Sequence, residues 1–169
     1  MKSTFFILLG VFAFSFANAQ SRSLVSIELT KKITNTYLDI KEKLLVSDSV
    51  EVKALAAEMN VQLNTLKMKS RNLDSLQQMS KLKKEMIKLT AEISSTGNIN
   101  KQREAFALVS PALWKLENMQ PMYNETLYLQ VCPMTKVSWL SKEKEIKNPY
   151  YPKNMLDCGA VKGEITATE

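Results

Sequence analysis

The sequence predicts a mainly α-helical chain: an antiparallel four-helix bundle followed by an irregular tail rich in cysteine, proline and aromatic residues, in which a short β-hairpin is expected. Three observations predict it. Apolar residues recur at helical spacing through four consecutive stretches between about residues 24 and 120. Glycine and proline are nearly missing there, represented only by Gly97 and Pro111. After that point Pro121, Pro133, Pro149 and Pro152 crowd together with Cys132, Cys158, Trp139 and most of the tyrosines.

Ahead of the first helix, Lys2 is followed by an apolar run from Phe5 to Phe16 and by Ala17-Asn18-Ala19, the small-x-small form of a signal peptidase site. Residues 1–19 are expected to be a signal peptide cleaved after Ala19, leaving one mature domain over 20–169 in the periplasm or beyond. An apolar run of about a dozen residues is shorter than the roughly 20 that span a bilayer, so no permanent membrane anchor is expected.

The first stretch carries Ile33, Tyr37, Ile40 and Leu44 on one face, and the second carries Val52, Leu55, Met59, Leu63 and Leu66. Between them, Ser47-Asp48-Ser49 offers a helix cap, with Glu51 placed to return a capping-box bond. Ser70-Arg71-Asn72 interrupts the pattern, since short polar side chains compete for backbone hydrogen bonds. Leu73, Leu76, Met79, Leu82, Met86, Leu89 and Ile93 then form a third stripe. Gly97 is expected to close it with a positive backbone angle, and Asn98 or Asn100 to start the fourth. The fourth stripe runs through Ile99, Phe106, Val109, Leu113 and Leu116, and Pro111 predicts a kink or break near Ser110. Short links between long helices favour antiparallel packing. Met59, Met68, Met79 and Met86 fall in these stripes and read as core filling.

In the tail, Leu127 to Val131 and Val161 to Ile165 read as short strands, and Asn148-Pro149-Tyr150 reads as a turn. Composition narrows the function. The chain has no histidine, which removes Ser-His-Asp and Cys-His nucleophiles and histidine-ligated zinc. With four glycines and no glycine-rich cradle, a nucleotide loop is not expected either, and the chain reads as non-enzymatic. Without Lys2 the mature chain holds 22 basic and 17 acidic residues. That surplus is modest, and lysines alternate with glutamates, as in Lys142-Glu143-Lys144-Glu145, so these are solvated faces and no nucleic-acid partner is expected.

What remains is sulfur. Cys132-Pro133-Met134 and Met155-Leu156-Asp157-Cys158-Gly159 place two thiols and two thioethers in two short clusters. Cys132, Met134, Met155 and Cys158 suit monovalent copper or silver, because soft donors select soft ions. Pro133 stiffens one cluster, and Gly159 would let the chain turn after the other. The rival reading is a Cys132–Cys158 disulfide, natural outside the cytosol, which would stabilise the tail by about 3 kcal/mol and leave a stapled protein–protein interaction module of the envelope with no metal. A site that binds metal only when reduced would reconcile the two. Trp139, Tyr150 and Tyr151 are candidates for a shell around the sulfurs, and Asn148 and Pro149 for the turn that supports it.

Gln102-Arg103, Phe106, Ser110 and Leu113, then Leu127-Tyr128-Leu129-Gln130, Cys132-Pro133-Met134, Trp139-Leu140-Ser141, Lys144 to Tyr151 and Met155-Leu156-x-Cys158-Gly159-x-Val161-Lys162, occur in an order that resembles a family of exported bacterial domains of uncharacterised function. Members of that family occur alone or fused to the carboxyl terminus of copper and silver efflux adaptors of the membrane-fusion type. The resemblance runs from about Tyr37 to Ile165, weakly in the early helices and closely from Gln102 onward. It implies a helical domain associated with heavy metals, with copper(I) or silver(I) at the four sulfur residues and an efflux adaptor or other envelope protein as partner.

Overall fold

The computed structural model describes residues 28–121 and 123–166, so the expected signal peptide lies outside the described residues. Four helices come first: α1 over 28–45, α2 over Ser49–Thr65, α3 over Leu73–Ser95 and α4 over Ile99–Met119. Three strands follow, β1 (Leu127–Val131), β2 (Ser138–Ser141) and β3 (Ala160–Ile165), in an antiparallel sheet of order β2-β1-β3. The expected hairpin is therefore enlarged. Trp139-Leu140-Ser141 forms a further strand, and β1 sits in the centre, paired to both neighbours.

Local chemistry sets the helix ends. Ser47, at φ 59°, terminates α1 in the left-handed conformation that glycine more often takes, while Asp48 N–H reaches back to Lys43 O (3.0 Å) and Ser47 N–H to Leu44 O (3.2 Å). Asp48 then caps α2 by accepting from Glu51 N–H at 3.1 Å. The reciprocal bond expected from the Glu51 carboxylate is replaced, because the Asp48 N–H is already used by Lys43 O. Asn72 caps α3 by accepting from Ser75 N–H, and Asn98 caps α4 by accepting from Asn100 and Lys101 N–H. Gly97 does not take a positive φ; α3 ends instead on extended Thr96, whose hydroxyl accepts from Asn98 N–H at 3.1 Å.

Pro111 does not break α4. It lies on the exposed face, one turn after half-buried Ala107, whose carbonyl it leaves without a helical donor. The buried face of Val109, Leu113 and Leu116 carries the helix through. The stripes otherwise bury as their spacing implies, with Ile33, Tyr37, Ile40 and Leu44 fully enclosed, and Met59, Met79 and Met86 in the core. Leu73 departs from this: as the first residue of α3 it is 67% exposed, beyond the reach of the neighbouring helices.

Side-chain bonds order the helices. Asn60 of α2 donates to Ile87 O and Thr90 Oγ1 of α3, while Lys83 of α3 reaches Leu66 O just past α2, so the two run antiparallel. Thr34 donates to Glu117 Oε1 at 2.6 Å, the Tyr37 and Ser110 hydroxyls are hydrogen-bonded at 2.7 Å, and Arg103 donates to Leu44 O. Residue numbers rise along α1 as they fall along α4, so these also run antiparallel. The sheet lies against this pair. Leu140 N–H donates to the Tyr37 hydroxyl (3.1 Å), Lys41 Nζ donates to Ser141 Oγ, and β2 packs on α4.

Candidate functional site

The sheet register brings the two cysteines together. Val131 pairs with Ala160, so Cys132 leaves the end of β1 beside the residues that lead into β3. A tight loop follows β1, in which Cys132 N–H donates to Val137 O, Lys136 N–H donates to Cys132 O, and Lys136 takes φ 62°. On the other side a turn from Met155 to Cys158, closed by Cys158 N–H to Met155 O at 3.1 Å, delivers the second sulfur. The two Sγ atoms lie 3.3 Å apart as free thiols, Cys132 fully buried and Cys158 partly exposed.

Their surroundings make the two thiols unequal. Burial pushes the Cys132 thiol up, but the neighbouring Thr135 and Met134 and the Cys158 thiol outweigh it and bring it down to about 7. Cys158 is pushed up, first because its thiol is the donor to Cys132, then by burial and by the charge on its neighbour. In the reduced pair Cys132 is the more acidic thiol and Cys158 the less acidic one.

Of the four sulfur residues, the fold unites the cysteines. Met134 is 73% exposed on the same loop as Cys132, and Met155 is half-buried at the start of the turn that ends at Cys158. Among the described residues, no group of three or more histidine, cysteine, aspartate or glutamate side chains converges as a metal cluster.

The aromatic residues divide. Trp139 is fully buried and meets Tyr150 edge-on at 6.0 Å, and its indole N–H donates to Gln130 Oε1 at 2.6 Å. The same ring lies against Gly159, where an added Cβ would stand 2.9 Å from Trp139 Cη2 and 2.8 Å from Ile146 Cγ2. Gly159 therefore provides closeness, not the expected turn, and its φ is not positive. Tyr151 is 39% exposed and lines a surface hollow with Arg103. Asn148 is buried as a turn residue: it accepts from Tyr150 N–H (3.0 Å) and donates to Cys158 O (3.1 Å), which ties the Asn-Pro-Tyr turn to the second cysteine.

Several supporting residues are polar groups set into the α4 stripe. Gln102 donates to Ser49 O and Thr96 O; Arg103 donates to Leu44 O and Ser47 Oγ at one end and to Pro149 O at the other; Phe106 stacks on Tyr37 at 4.6 Å. Ser110 joins the hydroxyls of Tyr37 and Tyr150, and the latter donates to Ser138 O at 2.7 Å. Gln130, whose amide donates to Glu143 O and Glu145 O, was not marked by its strand pattern beyond an inward-facing polar residue. The signal for the α4 group is its spacing, since 102, 106, 110 and 113 follow one helical face.

Residues 33–122 match the model of a family of proteins of unknown function, DUF3347. The chain belongs to this family. The DUF3347 match spans most of α1 and all of α2, α3 and α4, and stops before β1, so Cys132 and Cys158 both lie beyond it. The Gln102-Arg103, Phe106, Ser110 and Leu113 stripe lies inside it. Neither a curated protein nor a solved structure matches the chain.

Proposed function

We propose that this chain is an exported, non-enzymatic protein that binds a soft monovalent ion, copper(I) or silver(I), for delivery, buffering or sensing beside an efflux system. The observation that carries the reading is the 3.3 Å approach of the Cys132 and Cys158 sulfurs, the first of them pulled below the ordinary thiol range by its neighbours. Thiolates bind such ions through short covalent sulfur contacts, and two sulfurs already 3.3 Å apart need only a small adjustment to share one ion. That adjustment is within reach of a partly exposed turn. The thioethers of Met134 and Met155, each on a loop adjoining one cysteine, would complete a sulfur-only donor set of the kind that rejects zinc, calcium and magnesium. Trp139 and Tyr150 would keep water from the buried side. The role near an efflux system rests on the resemblance to domains fused to copper and silver efflux adaptors.

The test is competition. Reduced protein is titrated with copper(I) against a chelator, alongside the double variant Cys132→Ser, Cys158→Ser. The wild type should withdraw one ion from the chelator and the double variant none; equal withdrawal by both removes the cysteines from the site. No helix among the described residues is long and apolar enough to cross a membrane.

A further inference from the structure

We infer that Cys132 and Cys158 form a reversible dithiol–disulfide couple in which Cys158 meets an external small-molecule disulfide and Cys132 resolves it. The argument is geometric and does not depend on any ion. Two free sulfurs 3.3 Å apart need to approach by only about 1.2 Å to reach a bond of about 2.05 Å. One of them sits on a rigid support, since Cys132 follows the central strand and its backbone is locked by bonds to Val137 and Lys136. The other ends a surface turn flanked by exposed Leu156 and Asp157. Access is what separates them. Attack on a disulfide needs the three sulfurs nearly in line, and a fully enclosed Cys132 cannot offer that approach to a molecule in solution, whereas Cys158 is partly exposed.

The steps balance. Cys158 gives its proton to water and its Sγ attacks one sulfur of the external disulfide; a Cys158–S–S–R bond forms, the external S–S bond breaks, and one thiolate leaves. Cys132 then releases its proton to water and attacks Cys158 Sγ, expelling the second thiolate. The net change is two protein thiols oxidised to one disulfide and one external disulfide reduced to two thiols. Tight packing of Trp139 on Gly159, next to Cys158, and the bond from Asn148 to Cys158 O keep the second cysteine aimed at the first while its sulfur is occupied.

The full chain, reduced and freed of reductant, is incubated with oxidised glutathione and followed by intact mass, with no metal present. Wild type should lose two hydrogens and keep no adduct. Cys132→Ser should accumulate one glutathionyl group, and Cys158→Ser should be modified at least about tenfold more slowly, a gap that closes in denaturant. As a measure that needs no variant, wild type treated with a substoichiometric maleimide should carry the label on Cys158. A lasting adduct on wild type, persistent free thiols, or preferential labelling of Cys132 would overturn the couple. Loss of copper binding with the couple intact would count against the ion reading alone.

Discussion

Replacing Tyr37 by phenylalanine isolates the junction between helices and sheet. The ring is fully buried and stacked on Phe106, so Tyr37→Phe keeps the packing and opens no cavity. What it removes is one hydroxyl with two partners, Ser110 Oγ at 2.7 Å and Leu140 N–H at 3.1 Å. Ser110 keeps Phe106 O and the Tyr150 hydroxyl. The Leu140 N–H, enclosed in the sheet–helix seam, is left with no acceptor, and a buried donor so orphaned costs about 1–3 kcal/mol. We expect a loss of about 2 kcal/mol, seen as a lower urea midpoint at unchanged slope and a fall in Tm of about 4–8 °C. Burial also raises the Tyr37 phenol well above its usual range, and that of Tyr150 likewise. Below about pH 10 both folded and unfolded chains keep these protons; above it the unfolded chain sheds them first, so stability falls as pH climbs. Part of that alkaline slope should vanish in Tyr37→Phe. A stability change under about 0.5 kcal/mol, with the same alkaline slope as wild type, would refute the role given to this hydroxyl.

Ultraviolet titration of the reduced protein should show one thiolate forming near pH 7 and the second above the ordinary cysteine range, and Cys158→Ala should move the first upward by removing its donor; two thiols titrating together near 9 would contradict the assigned asymmetry. Gly159→Ala forces a Cβ against a buried indole and Ile146, which should cost about 1–3 kcal/mol and slow closure of the Cys132–Cys158 disulfide, while a fully stable, fast-closing variant would show that the contact yields freely.

The helices could be read from the sequence because their causes are local. Spacing of apolar residues and the caps at Asp48 and Asn98 act within a few residues of the chain, and both caps form; Asn72, read only as part of an interruption, caps α3 as well. Where local rules misled, a longer-range term won: Pro111 is tolerated because burial of Val109, Leu113 and Leu116 holds α4 together, and Gly97 is not needed as a terminator when Thr96 can end the helix extended. Strand β2 escaped notice because four residues, three of them buried, show no alternation. At the site, the sulfur inventory was visible, but its geometry follows from the pairing of Val131 with Ala160 across 28 intervening residues, a register no local pattern encodes. Arg103 and Ser110 stood out as a motif before their purpose did, since their partners lie in Pro149, Tyr150 and Tyr37.

The stretch recognised as DUF3347 ends near residue 122, but α4 is shaped for what comes after it. Trp114 lies where a Cβ on Gly163 would approach its ring to 2.8 Å, and Arg103 keeps one of its bonds for a carbonyl in the tail. A fragment trimmed to the recognised stretch would expose the Phe106 and Ser110 flank to solvent, and it would be prone to self-association. The working unit of this protein is accordingly the helices and the sheet as one indivisible piece, and any expression boundary drawn between them cuts through its interior.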